Sequence, residues 1–543
     1  MEPPPPPPPT TSQHGLIAAI DLGTKSFKLL LARAFPRGRL LALARLKEPV
    51  LLGRGRAADG SLTHEACLRA IAALRSFSLA LRPLRVSLIR AVATAAIRSA
   101  PNRDDLLSAV RSVLQFQVDV LSGEDEARLI YLGVLQFLPV FERTILVVDI
   151  GGGSTEFVVG NEGKVLFATS LNLGHISLTE FHEQNGKLED LRSYIRAVLD
   201  QSPLVEKVRE LGFEIAIGSS GTIRSIERAI FLDGYGESMS RDFVREWKFS
   251  KEELVSLVEK LTSGDLSEIE ATLRFRFSKR RREFIVAGAI LLLELFEALG
   301  INNIEVSGYA LSEGVISEML ANNHLDYDMS ANARWRSVVS IATRFDGDDR
   351  MKSAANCVGI AKDLFDGIVR LDDHVDDQVH LHETDFEYIE AALLLHNIGL
   401  LMGKKGYHKR SYKIIKNCGH LHGYSSEEIE LVALLARFHR KKFPKSTNDF
   451  LEELPFEMKQ KFRALCVIMR ISVTLQKCQC VTSHVLEVLP TEEGFQLVIG
   501  SLKDHLQVSH GIQLTLAVIE AELRPELNHF EEVFQRKMTM LLS

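Results

Sequence analysis

Residues 145–160 read ILVVDIGGGSTEFVVG, and residues 17–32 read IAAIDLGTKSFKLLLA. Each stretch is an apolar run, an Asp, a glycine-bearing turn with hydroxyls, and a second apolar run. Short apolar runs broken by such a turn predict a β-hairpin. The two aspartates, Asp21 and Asp149, stand 128 residues apart, so the chain builds the same acidic hairpin twice. A turn of this kind presents consecutive backbone N–H groups, a nest that suits phosphate oxygens. Gly151, Gly152 and Gly153 lack the Cβ atoms that would block close approach. Ser154 and Thr155 add hydroxyl donors, as Thr24 and Ser26 do in the first copy. An Asp cannot hold phosphate directly, but it can hold Mg²⁺ or its water shell, which bridges to phosphate. Two such hairpins face to face would clamp one anionic substrate and its metal. The competing reading is a pair of ordinary glycine turns with solvent-facing aspartates.

Around the first hairpin, residues 16–138 alternate strands and helices: RLLALARLKEPVLL is strand-like, LTHEACLRAIAALRSFSLALR is helical by spacing, and RVSLIRAVATAAIR returns a buried strand. Residues 139–322 repeat this plan, with further strands expected at FEIAIGSS and NNIEVSG. The run IVAGAILLLELFEALGI is interrupted by Glu294 and Glu297 and reads as a buried helix, too short to span a bilayer. From residue 323 to 543 the character turns to amphipathic helices, closing on a hairpin at HVLEVLPTEEGFQLVIG and a further strand or helix. Twelve of the 17 histidines lie beyond residue 330, which makes this part a second place to look for metal or acid–base chemistry. Residues 1–15 carry a polyproline run and read as a disordered tail.

The 543 residues exceed one core and call for two to four domains. A net charge of −6 carries no global nucleic-acid signature, so a polyanion would have to meet local basic patches. Six scattered cysteines, with only a lone C-x-C at Cys478 and Cys480, suit a reducing compartment rather than a disulfide framework. With no apolar signal core and no early arginines, a cytoplasmic location is expected.

Three more stretches carry chemistry. In IGSSGTIRSI, Ser219, Ser220, Gly221 and Thr222 put donors at a helix N-terminus, which favours an anion or serves as a plain cap. In SGEDEARLIYLGV, Ser122 and Asp125 form a capping box, and Glu126 just inside the helix is placed to act as general base for water. In VATAAIRSAPN, Arg98 follows a strand as a candidate phosphate ligand. The basic run from Arg274 to Arg282 reads mainly as solvated surface, with Arg281 the member taken to reach the substrate.

AAIDLGTKSFKLLLAR, SGEDEARLIYLGV, VVDIGGGSTEFVVG, IGSSGTIRSI and SGYALSEGVI together resemble, in this order, the exopolyphosphatase / guanosine pentaphosphate phosphohydrolase (Ppx/GppA) family. The resemblance covers about residues 16–320 and extends more loosely beyond. It implies an α/β fold of two ribonuclease-H-like domains of the actin and sugar-kinase superfamily around a cleft, followed by a mostly α-helical, HD-like domain. It implies Glu126 as catalytic base, Asp149 and Glu156 holding Mg²⁺ or the nucleophilic water, and Asp21 completing the metal side. Gly151 to Ser154, Ser26, Arg98 and the turn Ser219 to Thr222 would cradle phosphates, with Thr24, Lys25 and Arg281 added as candidates from the hairpin and the basic run. Glu313 and Gly314 match the family's E-G pair.

Two departures stand out. Lys25 replaces the family's usual Asn, and Ser312 stands where an arginine is usual. In the last domain LLLHNIGL carries His396 followed by Asn397 where a metal-binding H-D pair would read, and Ala354 falls near the place of an upstream metal histidine. A two-metal centre is therefore not expected, and His396 reads as structural. The basic stretches GKKGYHKRSYKIIKN and RFHRKKFPK are either solvated surface or a guide for a long polyanion.

The expected activity is Mg²⁺-dependent hydrolysis of a terminal phosphoanhydride, with inorganic polyphosphate or guanosine pentaphosphate as substrate. Neither a specific nucleic acid nor a membrane is expected as partner, and a homodimer is compatible with the long helices. The alternatives are a phosphotransferase on the same scaffold, a non-catalytic polyphosphate or nucleotide binder, and an HD-type hydrolase working from the C-terminal half.

Overall fold

The computed structural model describes residues 15–54, 57, 59–84, 86–113, 117–235, 247–323, 326–345, 348–372, 381–440, 442–444, 449–451, 454–477, 486–491, 494–499 and 516–542. The polyproline tail, the C-x-C pair and the segment 500–515 lie outside them. The chain divides into two compact units at Arg336 and Ser337.

The first unit contains two sheets built on one plan. In the first, β1 (Leu16–Leu22), β2 (Ser26–Phe35) and β3 (Arg39–Pro49) form an antiparallel meander, and β4 (Val86–Ala93) and β5 (Val118–Val120) add parallel to β1, giving the order β3-β2-β1-β4-β5. In the second, β6 (Ile145–Ile150), β7 (Thr155–Asn161) and β8 (Lys164–Leu171) repeat the meander, and β9 (Ile215–Gly218) runs parallel to β6. Two more strands, β10 (Lys248–Ser250) and β11 (Asn303–Val306), complete the order β10-β11-β9-β6-β7-β8. The two hairpins quoted above are β1–β2 and β6–β7, each at the centre of its sheet.

Helices supply the cores. The helix His64–Leu81 buries Ala66, Ala70, Ala73, Leu74 and Phe77 with the first sheet, a stripe at helical spacing. The helix Ile285–Leu299 is buried almost all round, as its unbroken apolar run requires. Its internal Glu294 accepts from both Arg192 and Arg196, while Glu297 pairs with Lys251 at 2.9 Å. The helices Gly123–Leu135 and Leu311–Asn323 cross at two glycines. A Cβ on Gly133 would stand 1.9 Å from the Ala310 carbonyl oxygen, and one on Gly314 would stand 1.7 Å from that of Leu129.

The second unit is mainly helical, built on Asp348–Asp372, Phe386–Leu395, Tyr407–Asn417, Ser426–Phe438, Phe456–Lys477 and Leu516–Phe534. The expected hairpin is present as β12 (Leu486–Thr491) and β13 (Gly494–Ile499), and β14 (Lys537–Leu542) extends it in parallel. Among the described residues no helix is long and apolar enough to cross a membrane.

Candidate active site

The two hairpin turns face each other. A Cβ on Gly152 would lie 3.1 Å from Thr24 Cβ, and one on Gly153 would lie 3.2 Å from Thr24 Oγ1. The second turn closes on itself through Gly151 N–H donating to the Ser154 carbonyl at 2.9 Å. Each Asp ends its strand beside the turn, so Asp21 and Asp149 come to one place from separate lobes.

Pairing across each hairpin fixes the next neighbours. Asp149 lies opposite Glu156 in the β6–β7 register. Glu156 is buried and accepts through Oε1 from Ser154 Oγ at 2.5 Å and Ser170 Oγ at 2.9 Å. Asp21 lies opposite Lys28 in the β1–β2 register, and the Lys28 ammonium pairs with Asp21 Oδ2 at 2.8 Å. Sequence reading missed Lys28. The signal was available, because a hairpin centred on Gly23 to Lys25 sets positions 21 and 28 across from one another.

Glu126 stands in the first turn of the helix Gly123–Leu135, whose N-cap Ser122 accepts from Asp125 N–H at 3.0 Å. Its carboxylate is buried and takes a charge-assisted hydrogen bond from Arg98 Nη1 at 2.7 Å. Arg98, in the short helix after β4, also donates to the Leu121 carbonyl at 3.1 Å. Arg98 is thus the partner of the proposed base as well as a candidate phosphate ligand.

Electrostatics joins the acids. Burial pushes Glu126 up to about 7, Arg98 opposes the rise, and the charges of Asp21 and Asp149 add to it. Burial likewise lifts Glu156 well above the usual carboxylate range, helped by Glu126 and Asp149. Asp149 is raised by burial, against the Ser219 hydrogen bond and the cations Lys28 and Arg224. Buried like-charged carboxylates hold protons more tightly and gain most from a nearby cation. Among the described residues no group of three or more His, Cys, Asp or Glu side chains is arranged to cage a metal ion. Mg²⁺ needs no such cage, since it binds through one or two carboxylates plus waters and phosphate oxygens. The donor set at Asp149 and Glu156 fits that demand, whereas Asp21 already has Lys28 as counter-ion.

The third turn differs from its sequence reading in one respect: its hydroxyls are engaged within the protein. Ser219 Oγ donates to Asp149 Oδ2 at 2.6 Å, and Ser220 Oγ accepts from Thr222 and Ile223 N–H at 3.1 Å each. Thr222 Oγ1 donates to the Ile150 carbonyl at 3.3 Å. Space beside the turn is taken by Arg281, whose Nη2 would be 2.2 Å from a Cβ on Gly221. Ser26 is buried at the start of β2. Lys25 extends from the first turn to the second lobe, donating to the Arg280 carbonyl at 3.4 Å.

The chain was compared with known proteins on this basis. A family model described as the Ppx/GppA phosphatase family matches residues 34–323, and one described as Ppx/GppA phosphatase, domain III, matches residues 333–521. A protein of Pseudoalteromonas translucida named guanosine-5'-triphosphate,3'-diphosphate pyrophosphatase is 30% identical over 445 residues, covering 81% of this chain and 83% of that one. The chain belongs to the Ppx/GppA phosphatase family. Among solved structures, an exopolyphosphatase from Cytophaga hutchinsonii is 28% identical with a TM-score of 0.50, covering 58% of this chain and 100% of that one. A Ppx/GppA family member from Aquifex aeolicus is 27% identical with a TM-score of 0.48, over 57% and 99% of the two chains. The two α/β lobes match the actin and sugar-kinase-like pair of the exopolyphosphatase structure, and two of the relatives are named as an exopolyphosphatase and a pyrophosphatase.

The helical unit of this Ppx/GppA phosphatase holds a second pair of buried side chains. His396 and His439 meet edge to face with ring centroids 4.7 Å apart. Each donates from Nδ1 to a carbonyl one helical turn back, Leu393 and Ala436, at 2.7 Å. Tyr407 hydroxyl lies 3.0 Å from His439 Nε2. Burial pushes His396 down to about 4 and His439 well below the usual imidazole range, so both are neutral. Ala354 is a buried residue of the helix Asp348–Asp372 and offers no ligand.

Proposed function

We propose that this chain is a divalent-cation-dependent hydrolase that releases terminal orthophosphate from inorganic polyphosphate, guanosine pentaphosphate, or both. The observation that supports it best is a buried Glu126, held by Arg98, beside two facing acid-tipped hairpins. The relatives named exopolyphosphatase and guanosine pentaphosphate pyrophosphatase point the same way.

In this reading the end phosphate lies against the backbone of Gly151 to Ser154 and Thr24 to Ser26. Glu126 takes a proton from a water as the water oxygen bonds to phosphorus in line, and the bridging P–O bond breaks to free the shortened chain. Arg98 keeps the Glu126 carboxylate oriented. Asp149 and Glu156 would hold Mg²⁺, with Asp21 near by, and the bound ion would neutralise phosphate oxygens. The helical unit is read as an HD-like domain without its metal centre, because Asn397 stands where an acid ligand would be needed.

The test is to incubate the purified full chain with Mg²⁺ and each candidate substrate and follow orthophosphate. Release that needs no acceptor alcohol supports hydrolysis. Release only on addition of an acceptor would make the protein a phosphotransferase, and tight binding with no release would make it a binder.

A further inference from the structure

Three cationic side chains from both lobes converge beside the phosphate turns: Lys25 in the first turn, Lys47 on β3, and Arg281 in the short helix Lys279–Arg282. Lys25 Nζ is fixed by the Arg280 carbonyl at 3.4 Å and by the Phe284 ring, whose centre is 3.9 Å away. Among the described residues none of the three cations has a carboxylate partner. Glu283, the acid that acts on Lys25, is held by Arg54 at 2.5 Å. Behind this group, His175 Nδ1 lies 3.3 Å from Thr222 Oγ1, and that hydroxyl donates to the Ile150 carbonyl. The far nitrogen of the ring, Nε2, is buried with no protein partner. Among the described residues the cations of this region outnumber the acids that act on them, Glu283 on Lys25 and Asp21 on Lys47, and each of these acids has a cation of its own in Arg54 and Lys28.

We infer that Lys25, Lys47 and Arg281 form a subsite for a second phosphate group, next along the chain from the one released, and that Lys25 takes up a proton when that group arrives. This rests on the proposed phosphoanhydride chemistry of the cleft. A carbonyl and a ring face keep the Lys25 nitrogen in place as amine or as ammonium. Burial first, then Arg281 and Lys47, bring Lys25 down to about 7, with Glu283 a weak counterweight. Burial first, then Lys28, Arg281 and Arg224, bring Lys47 down to about 8, against the pull of Asp21. His175 is pushed down to about 3 by burial and by Lys25 and Arg281, so it stays neutral and does not compete for the proton. An anion in contact with Lys25 favours its charged form. The complex then holds more protons than the free protein above pH 7, so affinity falls with rising pH, by about tenfold per unit for one proton. Below pH 7 Lys25 is already charged, and this dependence vanishes.

The experiment is calorimetric titration of the full chain with tripolyphosphate, without divalent cation, from pH 6 to 9 in buffers of differing ionisation enthalpy. The wild type should take up about one proton more than Lys25→Met near pH 8.5, and no more at pH 6. Comparing the two proteins cancels the titration of the tripolyphosphate itself. Lys25→Arg, permanently charged, should bind with little of the wild type's loss at high pH. Equal proton uptake by wild type and Lys25→Met, with binding intact, would overturn this inference and leave the hydrolase reading standing. Failure of the metal-free wild type to bind tripolyphosphate would overturn this inference alone, since the hydrolase reading is tested by orthophosphate release with Mg²⁺.

Discussion

Replacing Glu126 by Gln keeps the shape of the side chain and removes its capacity to accept a proton. Arg98 Nη1, now 2.7 Å from Oε2, can donate to the amide oxygen in its place, so the local packing should survive. The carboxylate is raised to about 7 by burial against the opposing pull of Arg98. A base with that proton affinity is matched to neutral pH, where loss of a positioned base costs about 10²–10⁴ in rate. That corresponds to roughly 3–5 kcal/mol of barrier. The substrate is a polyanion and the site is acidic, so removing one negative charge should leave KM unchanged or lower. The loss therefore falls on kcat. Orthophosphate release under saturating substrate and Mg²⁺ measures it, with circular dichroism to check the fold. In the wild type the rate should rise with pH through about 7, because only the ionised carboxylate accepts a proton. Turnover of Glu126→Gln within about threefold of wild type would be far too little loss for a positioned base and would remove Glu126 from that role.

Other outcomes follow from the same coordinates. Arg98→Met removes the cation that opposes burial at Glu126, so the acid limb of the pH–rate profile should move to higher pH, which a rate series from pH 5 to 9 will show. Gly314→Ala places a Cβ 1.7 Å from the Leu129 carbonyl oxygen, backbone against backbone, and should cost about 3 kcal/mol or more, read as a lower urea midpoint. In the helical unit, Arg470 binds Glu526 with two hydrogen bonds, at 2.6 and 2.7 Å, in a buried setting. Arg470→Met strands that carboxylate and should destabilise this unit by about 3–5 kcal/mol, measured by thermal or urea unfolding.

The duplicated plan was legible because it is local. An apolar run, an Asp and a glycine turn are contiguous, and the hairpin they form needs no distant partner to be named. The helix start at Ser122 was legible for the same reason, since the cap and Asp125 are three residues apart. The glycines of the second turn proved to matter through proximity rather than left-handed backbone, with Thr24 of the other lobe against Gly152 and Gly153. Lys47 and His175 escaped notice because nothing beside them in the chain marks them, and Arg224 because the turn just before it drew the attention. Lys47 lies in a stretch read only as strand-like, Arg224 follows the third turn within a helix, and His175 acquires its surroundings from Thr222 and Phe284. At the third turn the cap reading accounts for Ser220, while Ser219 serves Asp149, since a hydroxyl near a phosphate turn can as readily serve an Asp or a helix cap.

The cleft has two electrically different ends, and this bears on which phosphate is removed. Asp21, Asp149, Glu156 and Glu126 act on one another at one end, while Lys25, Lys47 and Arg281 do so at the other, with Lys28 and Arg224 acting on members of both groups. A bare phosphate chain is drawn to the cationic end and repelled by the acidic one. In the proposed mechanism a divalent cation at Asp149 and Glu156 would make the acidic end hospitable to a phosphate. Binding and turnover should therefore separate when metal is withdrawn. With EDTA present, tripolyphosphate should still bind, held by the cationic end, while orthophosphate release falls to background and returns on addition of Mg²⁺. Raised ionic strength should weaken the metal-free binding, since partly exposed charges such as Lys47 carry it. If withdrawal of metal abolishes binding as completely as turnover, the cationic end does not hold the chain by itself, and the division of labour drawn from these charges is wrong.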